Sequence, residues 1–566
     1  KRAFSNDSEY QAWRVANGYY ALYDAARTDA SFLAQVDAIR QAHSLTYSYR
    51  ANGLITEAID QRGLRTLYKY DNKENLIAIT DRNGWGAAHS DASDFRRLRA
   101  ELGFTDATGA GKLAADLTPA ERDAILAKFT TTLTYDERGN LLSRVDAEGN
   151  RATFTYTPFN KLASETSAVG HALTSSDEPL YREQRVALGF AALVANLSDA
   201  DKLALLARHT TTYQYDARQN LVQRTDAGGD VTRFEYDANG NLERRIVFLD
   251  RNDLVDPAKQ QVTRFFYDQF GNNIETLDGE GHRTRSDYDL FGNLLRFIDG
   301  NGGVTTYTYD KADRLLTITD PEGHVTVNAY DAVGNRIAVT DANGHTVTRL
   351  YDRNNMLLAV IDPSDTAPAQ DRTTRHAYDV TGNRTSVTDA EGRTTTYTYS
   401  ARRELVEITT PEVPGPDGVV RRYTTTFAYD GESNRIRTTN NNGFTTEVAY
   451  TRDNLVRTQT DPNGHITVFE YDANRNQVMI VAGAQLPELR RQIVRFRYDA
   501  EDQLIRQIDA LGNATQFTYD APGNRVRVVD ANGNATRFEY DKNNRLVREI
   551  RPAALDGRTG SVVEHT

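Results

Sequence analysis

This chain of 566 residues contains no cysteine. Disulfide bonds therefore contribute nothing to the fold, and the sequence does not distinguish an oxidising from a reducing compartment. We expect neither a secretory signal peptide nor a membrane-spanning helix within these residues, since a membrane-spanning helix needs an apolar run of about 18 residues and none occurs. Because its first residue is Lys1 and not Met, we expect the chain to be part of a longer protein whose targeting signals lie elsewhere.

An excess of basic residues is missing as well. The chain has 67 Lys and Arg residues against 79 Asp and Glu residues, which gives a net charge of −12. A protein that binds nucleic acid or an anionic membrane needs a basic surface to neutralise phosphate groups. We therefore expect neither nucleic acid nor an anionic membrane among the partners of this chain.

The chain is rich in one repeated pattern, in which a Tyr-Asp pair returns every 21 residues. This spacing is uninterrupted from Tyr267 to Tyr351. Self-similarity at such a period is typical of repeat architectures, in which each copy adds to one body instead of closing a separate core. Anchored on the tyrosine, nineteen copies occur, at Tyr49, Tyr70, Tyr135, Tyr156, Tyr215, Tyr236, Tyr267, Tyr288, Tyr309, Tyr330, Tyr351, Tyr378, Tyr399, Tyr429, Tyr450, Tyr471, Tyr498, Tyr519 and Tyr540.

A β-strand is predicted to end at each of these tyrosines. Most copies have an aromatic residue two positions before the tyrosine, as at Tyr307 and Phe469. Residues two apart lie on the same face of a strand, and Thr, Arg and Glu commonly occupy the position between them. We therefore predict half-buried strands with one aromatic face.

Two turns are predicted in each copy. The fourth residue after the tyrosine is commonly Gly, Asn or Asp, the residue types that tolerate a positive φ. A second strand follows and ends in an Asp-x-x-Gly turn, as at 341–344, so one copy is predicted to be two antiparallel strands and two turns. The structural residues that we assign are the tyrosines Tyr236, Tyr267, Tyr288, Tyr309, Tyr330, Tyr351, Tyr378, Tyr471, Tyr498, Tyr519 and Tyr540, and the turn glycines Gly240, Gly271, Gly292, Gly334, Gly382 and Gly523.

Three longer segments near the front of the chain are predicted to be helical. Thr118 with Pro119 and Glu121 forms a helix-start signal, and Ser198 with Asp201 repeats it. The predicted order along one continuous shell is a helical segment 1–46, repeats 47–84, a helical insertion 85–132, repeats 133–170, a helical insertion 171–212, repeats 213–551 and a tail 552–566.

The number of strands constrains the architecture. Nineteen strand pairs form a very long ribbon, and open sheets rarely exceed about ten strands without curling, since each strand is twisted relative to its neighbour. The sequence therefore predicts a fold dominated by β-structure. In this fold, antiparallel hairpin repeats with a 21-residue period wind into a spiral, hollow β-shell, with helical insertions near the N-terminus.

The motif Tyr-Asp-x-x-Gly-Asn-Leu followed by Thr-Asp-x-x-Gly, repeated in this way, resembles the YD repeats of the RHS family. This family includes bacterial RHS polymorphic toxins, the B and C components of insecticidal Tc toxins, and the teneurins. The resemblance covers residues 47–551 apart from the insertions. It implies a spirally wound β-shell, which in the toxin branches encloses a cytotoxic C-terminal segment.

The resemblance also implies a core motif built on Asp-Pro-x-Gly-Leu, which plugs the shell and precedes self-cleavage in the toxin branches. The chain contains Asp-Pro-x-Gly at 320–323 and 461–464, but His324 and His465 follow where the family motif has Leu. Both segments are ordinary second turns. We therefore expect the plug, the cleavage site and the toxin to lie outside these residues.

We predict no catalytic, metal or cofactor site. The turn aspartates lack the spacing of calcium-binding loops. Histidines that share one position after the second turn have no cysteine or second histidine at zinc-site spacing. They are His171, His282, His324, His345 and His465. No Gly-x-Ser-x-Gly nucleophile motif occurs.

The sequence favours a structural function. We expect a shell portion of an exported bacterial protein, secreted or at the cell surface, that encapsulates or carries a toxin-like polypeptide cargo. The alternative is a cell-surface adhesion module that binds a receptor or a glycan. The helical insertions are expected to cover an exposed edge of the sheet, or alternatively to form a docking surface anchored by Trp13, Trp85 and the apolar run 186–197.

Overall fold

The structure is a computed structural model that describes residues 46–60, 63–362, 372–379, 381–400, 402–414, 420–552 and 562–565. Over these residues, 39 strands belong to one sheet, and two further strands form a separate small ribbon. Every strand pairing resolved in this sheet is antiparallel, as in the pairs on either side of Tyr267. The predictions of a fold dominated by β-structure and of antiparallel hairpin repeats are confirmed.

The first strand of each copy ends at the repeat tyrosine. These strands are β1 Thr46–Tyr49, β3 Arg65–Tyr70, β5 Thr130–Tyr135, β7 Arg151–Tyr156, β9 Thr210–Tyr215, β11 Val231–Tyr236, β13 Gln260–Tyr267, β15 Arg283–Tyr288, β17 Val304–Tyr309, β19 Val325–Tyr330, β21 Thr346–Tyr351, β23 Arg372–Tyr378, β25 Thr394–Tyr399, β29 Thr424–Tyr429, β31 Thr445–Tyr450, β33 Ile466–Tyr471, β35 Gln492–Tyr498, β37 Ala514–Tyr519 and β39 Ala535–Tyr540.

The second strand of each copy follows the first turn. These strands are β2 Ile55–Ile59, β4 Leu76–Thr80, β6 Leu141–Val145, β8 Leu162–Thr166, β10 Leu221–Thr225, β12 Leu242–Phe248, β14 Asn273–Leu277, β16 Leu294–Ile298, β18 Leu315–Thr319, β20 Arg336–Thr340, β22 Leu357–Asp362, β24 Arg384–Thr388, β26 Leu405–Thr409, β30 Arg435–Thr439, β32 Val456–Thr460, β34 Gln477–Ala482, β36 Leu504–Ile508, β38 Arg525–Val529 and β40 Leu546–Ile550. The small ribbon is β27 Val413–Pro414 with β28 Val420–Arg421, and β41 Val562–Glu564 pairs with β40.

The first turn of the copy that begins at Tyr267 shows how a hairpin closes. A register shift between Phe266 and Tyr267 brings the tyrosine opposite Asn273. The backbone N–H of Gly271 donates to the carbonyl of Asp268 at 3.2 Å, and the φ of Gly271 is 86°. The position four residues after the tyrosine therefore requires the left-handed conformation, which glycine adopts without a steric penalty.

The same positive φ occurs in all nineteen copies, although eleven of them have a residue other than glycine there. Asn and Asp account for six of these positions. The other five are Glu74, Gln219, Arg403, Ser433 and Arg475, whose φ values lie between 65° and 73°. The repeated hairpin geometry therefore overrides the local preference of these side chains.

The two faces of the strands differ in exposure, as predicted. In β17, Tyr307 and Tyr309 are half-buried, whereas Thr306 and Thr308 are exposed. Among the described residues, most of the fully buried apolar side chains lie in and beside the helical insertions, not along the sheet. The aromatic face of the sheet is therefore only partly covered.

Six α-helices occur in the two insertions that the structure describes. They are α1 Arg82–His89, α2 Ser93–Glu101, α3 Pro119–Ala127, α4 Ala168–Ser175, α5 Pro179–Ala187 and α6 Asp199–Ala207, with short 3-10 helices at Ala114–Asp116 and Val194–Asn196. Capping boxes join Thr118 to Glu121 and Ser198 to Asp201, so both helix-start predictions are confirmed. Most of the predicted helical segment 1–46 and of the predicted tail 552–566 lies outside the described residues.

The helices begin earlier than the insertion boundaries at 85 and 171. Asp81 caps α1 by accepting hydrogen bonds from the N–H groups of Asn83 and Gly84, and Ser167 caps α4. Both caps stand where other copies have the first residue of the second turn, so each insertion replaces a turn. At the other end, Thr130 and Thr210 already begin the next strands, β5 and β9.

Two compact units make up the chain. The first contains residues 1–133, 145–149 and 325–445, and the second contains residues 134–144, 150–324 and 446–566. The helices α1 to α3 belong to the first unit and α4 to α6 to the second. Among the described residues, no helix is long and apolar enough to cross a membrane.

Candidate functional site

The aspartate of each Tyr-Asp pair organises the first turn. Asp268 accepts hydrogen bonds from the backbone N–H groups of Phe270 and Asn272, at 2.8 and 3.0 Å, and from the Asn272 side chain at 2.9 Å. The hydrogen bond from the Asn272 side chain holds the pKa of Asp268 below its ordinary value. The carboxylate is thus occupied by local donors, as expected for an aspartate that begins a turn.

Four copies lack this aspartate: the first has Arg50 in its place, and the other three have a residue with a hydroxyl group. Thr157 accepts hydrogen bonds from the N–H groups of Phe159 and Lys161 at 3.3 and 3.2 Å. Ser400 and Thr451 accept equivalent backbone hydrogen bonds in their own copies. A hydroxyl group can accept the same backbone hydrogen bond, although more weakly, so these sequence exceptions keep the turn.

The repeat tyrosine links its own copy to the preceding one. The hydroxyl of Tyr309 donates to the backbone carbonyl of Leu294 at 2.9 Å, and burial raises the pKa of Tyr309. Leu294 opens the second strand of the copy before. The same contact to the start of an earlier second strand is made by Tyr215, Tyr236, Tyr351, Tyr378, Tyr399, Tyr429, Tyr471, Tyr498, Tyr519 and Tyr540.

Each helical insertion is built around one fully buried arginine. In the first insertion, Arg99 donates to the carbonyls of Ala87, Ser90 and Lys112 and to the carboxylate of Asp91. Charged groups are buried only when their donors are satisfied, and this arginine meets that condition. The side chain therefore ties α1, α2 and the following loop together.

The second insertion repeats this arrangement. Arg185 donates to the carbonyls of Leu173, Ser176 and Ala192 and to the carboxylate of Asp177. Both arginines have no exposed side-chain surface. The two insertions are therefore two copies of one helical module.

Within the second unit, turns that are eleven copies apart touch each other. We call these contacts the return contacts. Tyr215 and Tyr471 anchor the fifth and sixteenth copies. The side chain of Asn474 accepts a hydrogen bond from the N–H of Gly228 at 3.0 Å and donates to Asp226 at 3.2 Å. The first turn of the later copy thus lies against the second turn of the earlier copy.

The same offset recurs further along the second unit. Between the eighth and nineteenth copies, the N–H of Asn301 donates to the Asn543 side chain at 3.2 Å, and the N–H of Lys542 donates to the Asn301 side chain at 3.1 Å. Between the seventh and eighteenth, Gln261 donates to the carbonyl of Ala521. Three pairs of copies in the second unit therefore touch at the same offset of eleven copies.

The first unit shows the offset independently. The N–H of Gly431 donates to Glu148 at 3.0 Å, and the N–H of Ala147 donates to Glu432 at 3.3 Å, which joins the third and fourteenth copies. Arg402 of the thirteenth copy forms an ion pair with Asp81, the cap of α1, which follows the second copy. In each unit, therefore, turns that are eleven copies apart in the sequence lie against each other.

A cavity lies beneath each insertion. In the second unit, a cavity of about 580 Å³ separates α4 and α5 from β33 and β34, and Glu183, Asp453 and Glu470 are among its lining residues. In the first unit, a cavity of about 480 Å³ separates α2 from the strands around Tyr429, and Arg97 and Glu407 are among its lining residues. Each insertion thus leaves a space against the strands on which it is seated.

Comparisons with known proteins agree with this repeat geometry. The family model for the teneurin YD-shell matches residues 194–367. The RHS repeat model matches residues 135–172, 368–394, 378–412, 498–535 and 523–554. The chain belongs to the RHS/YD-repeat family.

A solved structure with 14% identity shares the fold of this RHS/YD-repeat chain. The crystal structure of TcdB2-TccC3 without its hypervariable C-terminal region has a TM-score of 0.55 and 14% identity, covering 93% of this chain and 35% of that chain. The Photorhabdus luminescens Tc holotoxin pore has a TM-score of 0.39 and 13% identity, covering 93% of this chain and 30% of the other. The chain thus spans about a third of the length of these proteins. A search of curated proteins finds no match.

The structural residues assigned from the sequence lie at the strand ends and in the first turns of the RHS/YD repeat. All eleven assigned tyrosines are the last residues of first strands. All six assigned glycines have a positive φ, between 86° and 101°. At least eight of these tyrosines donate a hydrogen bond to an earlier copy, whereas the glycines lie in the turn within a copy.

The histidines do not form one group. His282, His324 and His465 each contact the aspartate that begins their own second turn, at 3.2, 3.0 and 2.9 Å. His345 faces Asp362 at 3.4 Å. His171 was assigned the same repeat position, but it lies inside α4, because the insertion replaces the turn at this copy.

One local group of potential metal ligands occurs in the part of the chain that the structure describes. Ligand atoms of Asp320, Glu322 and His324 lie within 4.8 Å of one another. All three belong to one turn, and Asp320 already accepts the N–H groups of Glu322 and His324. The arrangement is explained by the turn itself, since aspartate at this position satisfies backbone donors.

The proposed docking anchors of the insertions have different environments. Trp85 packs against the apolar cluster of the first insertion, stacks on His89 and lies beneath Arg65. It is therefore part of the internal packing of the insertion. Val186 is exposed, and Trp13 lies outside the described residues.

Sequence reasoning missed the two buried arginines and the return contacts. A signal for the arginines is present, because Arg-x-x-Leu-Gly-Phe occurs at both 99–104 and 185–190. An arginine that recurs in duplicated helices at the same distance from a glycine turn indicates a shared structural role. The return contacts have no such local signal, since they join residues more than 240 positions apart.

Proposed function

We propose that this chain forms the wall of a hollow shell and that the parent protein uses the shell to enclose a polypeptide segment. The observation that carries the proposal is the eleven-copy register of the return contacts. A sheet that meets its own earlier turns at a constant offset continues as a spiral wall. Its role is structural and not catalytic.

The partly covered aromatic face supports a polypeptide as the cargo. Aromatic residues such as Tyr307, Phe517 and Phe538 are only half-buried. Apolar surface gains free energy when it is removed from water. We propose that apolar side chains of an enclosed segment complete this burial, and that the segment belongs to the remainder of an exported parent protein.

A second function is favoured by the match of residues 194–367 to the teneurin YD-shell. On this alternative, the outer surface of the shell and its insertions bind a receptor or a glycan at the cell surface. The two functions differ in where the partner lies. An enclosed cargo is protected from proteases, whereas a surface partner is not.

Limited proteolysis of the full-length parent protein tests the proposal. We expect the segment downstream of this chain to be cleaved much more slowly in the parent protein than as an isolated polypeptide. The substitution Arg402→Glu, which removes a return contact to Asp81, should increase the cleavage rate. Equal cleavage rates for the attached and the isolated segment would contradict enclosure.

A further inference from the structure

The cavity beneath the second insertion differs in charge from its duplicate beneath the first. Its volume of about 580 Å³ falls within the range of small-molecule sites. Apolar side chains, among them Leu173, Phe469 and Met479, form much of its wall. A ligand with an apolar body can therefore be buried there.

Carboxylates outnumber cations along this wall. Glu183, Asp453, Glu470 and Asp472 face the two guanidinium groups of Arg208 and Arg475. His209 also lines the cavity, and burial lowers its pKa to about 4, so it is neutral at pH 7. The cavity therefore carries a negative charge.

Some of the charged groups already have structural tasks. Asp453 accepts hydrogen bonds from the N–H groups of Ala168 and Val169 at the start of α4. Arg475 donates to the carbonyl of Asp453 at 3.0 Å, and Arg208 lies over the ring of Phe190. Asp472 accepts hydrogen bonds from the N–H and the side chain of Asn476. Glu183 of α5 and Glu470 of β33 remain as a pair of carboxylates that act on each other electrostatically.

The pair is electrostatically unfavourable as it stands. Burial raises the pKa of Glu470, and the charge of Glu183 raises it further, while Arg495 acts in the opposite direction. A neighbouring Gln184 also lines the cavity, and its side-chain oxygen is buried without a hydrogen-bond donor among the described residues. A buried acceptor without a donor is costly, so a ligand that donates hydrogen bonds would be favoured here.

The duplicated module provides an internal comparison. Glu183 stands two residues before the buried Arg185, and the residue two before Arg99 is Arg97. The cavity beneath the first insertion has Arg97 and Arg437 opposite Glu404 and Glu407, so its charges balance. At this position the first module has a cation, Arg97, and the second module has a carboxylate, Glu183.

We propose that the cavity beneath the second insertion binds a protonated amine or a guanidinium group on an apolar body, with Glu183 and Glu470 as its counter-charges. The ligand supplies the positive charge that Arg97 supplies in the first module. Its apolar part contacts the wall that Phe469 and Met479 form. The binding site goes beyond the shell function, because it does not depend on what the shell encloses.

Calorimetric titration of the full chain at low ionic strength tests the proposal. Phenethylamine should bind, whereas 2-phenylethanol and 3-phenylpropanoate, which keep the ring but lose the positive charge, should bind at least tenfold more weakly. The dipeptide acetyl-Phe-Lys-amide distinguishes the source of the cation. Tighter binding of the dipeptide than of phenethylamine would assign the site to a side chain of a polypeptide, and the opposite order would assign it to a free amine.

Variants complete the test. Glu183→Arg, which copies the first module, and the isosteric Glu470→Gln should each weaken phenethylamine binding at least tenfold. Glu280→Gln removes an exposed carboxylate of the same unit outside the cavity, and it should leave the affinity unchanged. The proposal is overturned if phenethylamine does not bind, if 2-phenylethanol binds equally well, or if neither cavity variant changes the affinity.

Discussion

At the scale of single residues, the repeat depends on one backbone conformation. Each of the nineteen copies has a positive φ four residues after its tyrosine. The sequence predicted this conformation where the residue is Gly, Asn or Asp, because those residues tolerate it. It could not predict the same conformation at Glu74 or Arg475, where the neighbouring strands impose it against the preference of the side chain.

Valine at the glycine turns should destabilise the sheet. Gly271 and Gly292 both have a φ of 86°, and a Cβ atom at either position would meet no closer neighbour than an Asn side-chain oxygen at 3.6 Å. The cost is therefore backbone strain and not a clash, and we expect Gly271→Val to lower the free energy of unfolding by about 1–3 kcal/mol. Denaturant unfolding measures the change. Gly271→Asn is the matched control and should stay close to the original chain, because Asn355 and Asn544 hold the same position.

The reverse substitution should stabilise the chain. Gln219 has a φ of 69°, so glycine there relieves a strain of about 1–2 kcal/mol, less the roughly 0.5–1 kcal/mol that glycine loses in backbone entropy. We expect Gln219→Gly to raise the melting temperature slightly. A drop in melting temperature would show that contacts of the Gln219 side chain stabilise the chain by more than the backbone strain destabilises it.

At the scale of elements, the helical module is held together by its buried arginine. Arg185→Leu would leave three carbonyl groups and Asp177 without their donor. Removing one partner of a buried, hydrogen-bonded charge costs about 3–5 kcal/mol. We expect hydrogen exchange in α4 to α6 to accelerate strongly while exchange in strands far from the insertion stays slow. Arg182→Leu, on the same helix, is the control and should leave the exchange pattern intact.

The second insertion should also respond to pH. Burial raises the pKa of Asp453, Glu470 and Asp472 above their ordinary values. The folded state therefore takes up protons before the unfolded state does, and stability rises as pH falls from neutral through the raised pKa values. We expect hydrogen exchange in α4 and β33 to slow, after correction for intrinsic rates, as the pH falls from 7 to about 5. The change should be smaller in Glu470→Gln, and faster exchange at the lower pH would contradict the assignment.

The elements themselves were largely predictable, and the reasons are specific. Alternation around Tyr307 predicted the strands, and Thr118 with Glu121 predicted the start of α3. The start of α1 was placed too late, because Asp81 serves both as a turn residue and as a helix cap. Local sequence does not show which of these two tasks an aspartate performs.

At the scale of the whole molecule, the sequence could not predict that turns eleven copies apart touch each other. Curling of the sheet follows from the number of strands. Which copies meet depends instead on the sum of the twists and bends between all the strands that lie between them. Contacts such as those of Asn301 with Asn543 fix that sum, and their residues resemble any other turn residues.

Engineered disulfides test this register most directly, since the chain has no cysteine of its own. In the double variant Asn301→Cys with Asn543→Cys, the two turns touch, and a disulfide needs Cα atoms within about 7 Å. Mild oxidation should link the two positions, as seen by mass spectrometry of the joined peptides. Asn301→Cys with Ala521→Cys is the control, displaced by one copy or ~10 Å, and it should stay unlinked. Linkage in the control but not in the first pair would contradict the eleven-copy return.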